Sequence, residues 1–255
     1  MNITLKKLLP HALVLLAVLT LGACSTAPVL PEGEEPLEPR FSADRVLIKE
    51  APAPDDEISD PWEGFNRSMY RFNYRFDKYV FLPAVNGYQF ITPDFMQAGI
   101  YNFFRNIQDI TTLINSILQL SPEKTANTTT RLVINSTIGI LGFINVADDV
   151  PRSDEDFGQT LGHWGVGRGP YLVLPVLGPS SLRDGTGAIV DIIVISRIRD
   201  AALDLETWQK LTWSILRAVD LRSHVAARYY ESGTPFEYEW LRLLYTTKRQ
   251  LDIER

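Results

Sequence analysis

The stretch beginning at Asp94, DFMQAGIYNFFRNIQDITTLINSILQLS, carries Met96, Ile100, Phe103, Phe104, Ile107, Ile110, Ile114, Ile117 and Leu118 at mostly three- and four-residue steps. That period belongs to a helix, and at 1.5 Å per residue the helix is roughly 35–40 Å long. Asn102, Arg105, Asn106, Asp109, Thr112 and Ser116 fall on its other side. The length would suit a membrane span, but Arg105 and Asp109 near the middle would each cost about 3 kcal/mol in hydrocarbon. Two arrangements avoid that cost. The helix lies in the membrane interface with its stripe among acyl chains, or it is one stave of a water-soluble bundle. Periodicity alone leaves both open.

A second helix starts at Asp60-Pro61-Trp62-Glu63, which reads as a capping box with Pro at the first helical position. Behind it Trp62, Phe65, Met69, Phe72 and Phe76 form one face, and Arg67, Arg71 and Arg75 another. A single-stranded nucleic-acid binder needs rings and cations on one platform. Here they lie on different sides, and the net charge of −6 repels a polyanion. Nucleic acid is therefore not an expected partner. Ser121-Pro122-Glu123 opens a third helix, and Thr234-Pro235-Phe236-Glu237 reads as a capping box opening the last one. The segments AIVDIIVISRIRDAALDLETW and QKLTWSILRAVDLRSHVAARYYES lean helical, and only YLVLPVL is strand-like. The expected fold class is all-α.

Lys6 and Lys7 followed by ALVLLAVLTLGA read as a signal peptide over residues 1–23. Leu21-Gly22-Ala23-Cys24 resembles the bacterial lipobox, which implies lipidation of Cys24. Three acyl chains, at about 0.8 kcal/mol per buried CH₂, would make a permanent anchor. Cys24 is the one cysteine, so no internal disulfide exists. Ser25 stands where an inner-membrane retention signal would place Asp, which implies sorting to the outer membrane. Residues 24–59, rich in Pro, Glu and Asp, read as a lipidated disordered tether with a span of about 30–35 Å. The helical domain is expected over 60–255.

Chemistry is scarce. Gly165-Val166-Gly167-Arg168-Gly169 fits no phosphate-loop pattern. Past the leader only His163 and His224 remain as imidazole bases, and no G-x-S-x-G elbow occurs. The acidic run Asp154-Glu155-Asp156 reads as a solvated turn. Neither an enzyme activity, a metal nor a cofactor is expected.

One set of residues is more specific. Asp60-Pro61-Trp62-Glu63-Gly64-Phe65-Asn66-Arg67, with Tyr70, Phe72, Asn73 and Asp77, resembles the opening of the VacJ/MlaA family of outer-membrane lipoproteins. The likeness continues through Asn102-Phe103, Asn106, Asn115, Leu118-Gln119, Asn135 to Gly139, Asp156 to Gly162, Trp164 to Gly187, and Tyr238, Arg242 and Tyr245. Asn145 departs from it, standing where that family usually has Asp.

The resemblance implies a ring of amphipathic helices lying in the membrane interface, in the inner leaflet of the outer membrane, around a central channel. It implies a protein that removes phospholipids mislaid in the outer leaflet and passes them to a periplasmic lipid carrier, beside a trimeric porin. On that basis Phe65, Met69, Phe72, Phe76, Ile100, Phe103, Phe104 and Ile107 are expected to face the membrane. Aspartate at Phe104 would then weaken membrane association. Arg67, Arg71 and Arg75 are expected near headgroups or the periplasmic edge. Leu118, Ser121, Pro122, Gly158, Gly165, Gly167 and Gly169 are expected along the lipid pathway, with Ser121-Pro122 as its gate. A scaffolding lipoprotein with its stripes packed in a bundle, and a lipid-modifying hydrolase, are the alternatives.

Overall fold

Asn73 follows Asn66 by seven positions, two helical turns, so both amides project from one side of the first helix. The computed structural model describes residues 58–231 and 233–254, all within the unit Pro39–Arg255. The signal peptide, Cys24 and the tether up to residue 57 lie outside the described residues. In α1 (Glu63–Phe76) the two asparagines are buried and grip the backbone of β1 (Tyr171–Leu174) and the turn that follows. Asn66 Nδ2 donates to Tyr171 O at 3.1 Å, and its Oδ1 accepts from Val173 N at 2.8 Å. Asn73 Nδ2 donates to Leu174 O at 2.9 Å, and its Oδ1 accepts from Val176 N at 2.7 Å. Side-chain amides thus take the place of a further strand at the free edge of the hairpin, whose other strand is β2 (Gly178–Ser181), antiparallel with Tyr171 opposite Ser181.

This hairpin, whose first strand comes from the strand-like YLVLPVL, is the one sheet among the described residues. The remaining elements are α2 (Leu82–Ile91), α3 (Asp94–Leu118), α4 (Pro122–Thr137), α5 (Phe157–His163), α6 (Leu182–Ala202), α7 (Thr207–Ser223) and α8 (Glu237–Glu254). The chain is mainly helical, and among the described residues no helix is long and apolar enough to cross a membrane.

The expected cap at Asp60 does not form. Trp62 is the N-cap, and the Asp60 carboxylate turns inward to accept from Asn66 Nδ2 at 2.7 Å, from the Tyr238 hydroxyl and from Arg242 Nη1 at 3.0 Å. A charged acceptor gains more from three donors in a water-poor site than from one helix-end amide. Asp156 and Ser181, by contrast, do cap α5 and α6, accepting from Gln159 N and Asp184 N.

Burial is inverted relative to a water-soluble bundle. On α3 the buried positions are Gly99, Phe104, Asn106, Asp109, Thr112, Asn115 and Ser116, so the polar side points inward. On α4 they are Thr128, Arg131 and Asn135. Asn115 donates to Asp191 at 3.2 Å and accepts from Thr160 at 2.8 Å, while Gln119 donates to Glu155 at 3.0 Å. Arg152 pairs with the buried Asp109 at 2.7 Å. Burial nonetheless pushes the Asp109 carboxyl up, against the pull of Arg152, Arg131 and Arg105. Meanwhile Phe90, 90% exposed, Ile189 and Ile192 on α6, Trp208, Leu211 and Ile215 on α7, and Trp240 and Leu251 on α8 face outward. The apolar core is correspondingly small: Tyr70, Tyr171, Val173 and Tyr238 in one cluster, Val85, Tyr88 and Val219 in another.

One crossing needs glycine on both sides. A Cβ at Gly187 of α6 would lie 2.3 Å from the backbone nitrogen of Gly158 in α5. Gly187→Ala is expected to cost about 1–3 kcal/mol by forcing the two helices apart, measured as a shift in the denaturant midpoint. An unchanged midpoint would show that the crossing is not this close.

Candidate functional site

Proline in a helix interior has no N–H to return to the preceding turn. Pro83 nevertheless sits in the first turn of α2, and α1 runs into α2 through one π turn, Asp77–Phe81, whose wider winding lets the helix carry on. That turn holds Asp77 on the inner side, buried. There Arg222, in the last turn of α7, meets it with two prongs, Nη2 to Oδ2 at 2.9 Å and Nε to Oδ1. The same guanidinium donates to Val225 O at 2.6 Å and Ala227 O at 3.4 Å, so it also fixes the connection towards α8. Nearby the Tyr70 hydroxyl donates to Glu237 at the start of α8. Burial first, then this carboxylate, drives the Tyr70 phenol far above its usual range.

Between these elements lies a cavity of about 880 Å³. Its walls are mostly apolar: Phe76 and Phe81 from α1 and the π turn, Val176 and Leu177 from the hairpin turn, Leu221 from α7, and Leu241 and Leu244 from α8. Asp77, Glu231 and Glu237 on one side of the balance and Arg222 and Arg228 on the other supply the charge. The size falls in the roughly 300–1,000 Å³ range of ligand sites, and apolar walls with few polar groups suit a ligand that is mostly hydrocarbon. The guanidiniums of Arg222 and Arg228 are the groups best matched to a phosphate.

The expected site residues divide. Phe65 and Phe72 are about half exposed, Phe76 stacks on Phe72 at 5.9 Å and lines the cavity, and Met69 packs on the tyrosine cluster. Ile100 packs against Val85 and Tyr88, Phe103 meets Trp213 edge-on at 5.5 Å, and Ile107 is half-buried. Phe104 contradicts its expected role. It is 7% exposed and packs on Phe103 and Trp213, because α7 crosses α3 at the edge of the stripe. Phe104→Asp is accordingly expected to destabilise the fold by about 3–5 kcal/mol, the scale of losing a buried ring, rather than to act on membrane binding. Arg67 is likewise engaged, pairing with Glu63 and Glu239 and lying over the Tyr238 ring at 4.4 Å.

None of Leu118, Ser121, Pro122, Gly158, Gly165, Gly167 and Gly169 lines the large cavity. Leu118 O accepts from Trp164 Nε1 at 3.1 Å, Ser121 and Pro122 start α4, and Gly158 serves the crossing with Gly187. Gly165 and Gly169 take φ of 85° and 67° in an exposed connection, and Gly167 is exposed there too. Of the long glycine-rich stretch, only Val176 and Leu177 of the hairpin turn and Pro179 of β2 reach the cavity. Sequence reading missed Arg222, Leu221, Val176 and Leu177 for this site; the Leu241–Leu244 spacing was the available signal. Asn145, the departure noted above, still acts as an acceptor: its Oδ1 takes bonds from Arg131 at 3.2 Å and Asn135 at 3.1 Å.

Residues 58–252 match the family described as MlaA lipoprotein. The chain is 42% identical over 136 residues to an uncharacterised protein of Rickettsia prowazekii, covering 52% of this chain and 54% of that protein. It is 39% identical over 139 residues to the intermembrane phospholipid transport system lipoprotein MlaA of Escherichia coli K12, covering 52% and 55%. With the Haemophilus influenzae protein of that name it shares 33% over 178 residues, covering 66% and 68%. The chain thus spans about half the length of most of the curated relatives it matches. A solved structure, from work described as "Structural basis for maintenance of bacterial outer membrane lipid asymmetry", superposes with a TM-score of 0.61 at 27% identity, covering 76% of this chain and 99% of that one.

Proposed function

Since the chain belongs to the MlaA lipoprotein family, we propose that it removes misplaced phospholipids from the outer leaflet of the outer membrane and passes them to a periplasmic lipid carrier. The observation that carries this reading is the inverted burial: polar side chains inside, large apolar ones outside, around an apolar cavity with guanidiniums in its wall. Exposed faces of α6, α7 and α8 would meet acyl chains in the inner leaflet, anchored further by lipidated Cys24. The cavity would take the acyl chains of the cargo, with Arg222 or Arg228 answering its phosphate. No bond in the lipid is made or broken in this scheme, so the protein would act as a conduit and not as an enzyme. A trimeric porin would cover part of the outward apolar surface.

The test is a carboxylate in the cavity wall. In Leu221→Asp the carboxylate, at a half-exposed position, must be covered by acyl chains when lipid binds, which costs about 3 kcal/mol, and it repels phosphate besides. At 1.4 kcal/mol per tenfold, bound phospholipid should fall by roughly a hundredfold. The readouts are lipid co-purifying with the protein and phospholipid accumulating at the cell surface. Wild-type amounts of both would overturn the reading.

A further inference from the structure

A second cavity, about 300 Å³, lies among α3, α4 and residues 145–152, and its character is opposite to the first. Arg105, Arg131 and Arg152 reach it from those three places, with Asp148 and Asp149 in the same wall. Two of the guanidiniums are committed to the fold. Arg131 Nη1 donates to Ala147 O and Val150 O at 2.7 Å each, and Arg152 pairs with Asp109. Arg105 is held more loosely. It lies over the Tyr101 ring at 5.7 Å, and its one ion pair, with Asp154, is 3.5 Å long, too long for a strong bond, so donors remain on a group that carries five. Asp149 is exposed and accepts no hydrogen bond among the described residues.

The cavity adjoins an unusual loop. Asn102 and Asn106, both in its wall, donate to Phe143 O at 3.4 Å and Leu141 O at 3.3 Å. That loop holds Ile138, Ile140, Leu141 and Ile144 outward, Ile140 and Leu141 at 64% and 65% exposure. Both have left-handed backbone, φ 54° and 58°, which a β-branched residue such as isoleucine rarely adopts. Gly142, at φ 90°, follows because a Cβ there would sit 2.3 Å from Asn106 Cβ. A charged hollow with free donors and acceptors therefore stands beside a knuckle of aliphatic side chains.

We propose that this hollow is a second lipid site, which holds the headgroup of an aminophospholipid while the Ile138–Ile144 loop lies among acyl chains. The assignment rests on the transport reading and adds a headgroup preference to it. Arg105 would bond the phosphodiester, and Asp148 and Asp149 a primary ammonium. An anionic headgroup without an amine would be repelled by both carboxylates, Asp148 with its bond from Asn145 Nδ2 at 2.7 Å and Asp149, without gaining a pair from either. A quaternary ammonium calls for a cage of ring faces. The one ring in this wall, Tyr101, has a face covered by His224 at 3.9 Å, stacked.

The test uses the full-length protein in detergent, titrated calorimetrically with dihexanoyl phosphatidylethanolamine, dihexanoyl phosphatidylglycerol and free phosphoethanolamine. The ethanolamine lipid is expected to bind roughly tenfold or more tightly than the glycerol lipid, and Arg105→Gln and Asp149→Asn each to weaken it by about tenfold. Ile140→Ser should weaken the lipid and leave the free headgroup unaffected. Equal affinity for the two lipids, or ethanolamine-lipid binding indifferent to both charge variants, overturns the site. Free phosphoethanolamine binding as tightly as the lipid would mark a soluble ligand and overturn the lipid assignment. Leu221→Asp separates the two ideas: it should remove binding in the large cavity and leave the preference for the ethanolamine lipid, and its loss in Arg105→Gln and Asp149→Asn, unchanged. If it transports like wild type, the transport reading falls while the headgroup site stands.

Discussion

Replacing Asn66 by leucine is expected to remove about 4 kcal/mol of stability, a large share of what a domain of this size has. Leucine keeps the branched outline of asparagine but is larger, so some overpacking adds to the main loss, which is hydrogen bonding. Asn66 is fully buried and serves Tyr171 O, Val173 N and Asp60 Oδ1 at once. Each buried group left without a partner costs about 1–3 kcal/mol, and water cannot enter to replace the amide. The effect should be local as well as global. With its edge unpaired, the 171–181 hairpin should become the first segment cut by protease and the first to exchange its amides. Phe65→Leu, one position away on the exposed side, is the control and should change stability by less than about 0.5 kcal/mol. Similar denaturation curves for the two variants would mean that the asparagine clamp does not hold the hairpin.

Arg222→Met is the second large effect, expected at about 3–5 kcal/mol. The loss comes from what the substitution leaves behind: Asp77 buried on the inside of the π turn with its charge unanswered, and Val225 O and Ala227 O without their donor. Adding Asp77→Leu should restore much of the stability, since a buried pair replaced by apolar groups is often near neutral. The double variant then separates two roles of the pair. If it folds and carries phospholipid at the wild-type level, the ion pair serves the π turn alone. If it folds but its lipid content falls together with that of Leu221→Asp, Arg222 contributes to holding the cargo. Failure of the double variant to recover stability would place the cost in the lost carbonyl bonds instead.

Sequence reading and structure part company at definable places. Helix starts at Glu63, Pro122 and Glu237 lie within a few residues of their Pro signals, because a missing N–H acts over a single turn. The capping at Asp60 failed for a tertiary reason, as Tyr238 and Arg242, nearly two hundred residues on, compete for the same carboxylate. Phe103 and Phe104 are neighbours in one stripe and both meet Trp213, and no periodicity could foretell that α7 would cross there and bury the second. The glycines from Gly158 to Gly169 were singled out for a pathway, yet glycine permits close approach without saying what approaches. At Gly158 it is another helix.

Residue order alone determined that this chain forms long two-faced helices, that their apolar stripes are backed by charges no span would tolerate, and which family it belongs to. These are local or compositional properties, set by the 3.6-residue period and by the identity of each side chain. Which face turns inward was decided only in three dimensions. A stripe of isoleucines is equally consistent with a core and with a lipid surface, and the difference lies in whether the opposite face finds partners. Here it does: asparagines, threonines and arginines from distant helices satisfy one another inside, so the aliphatic side is the one left to face outward.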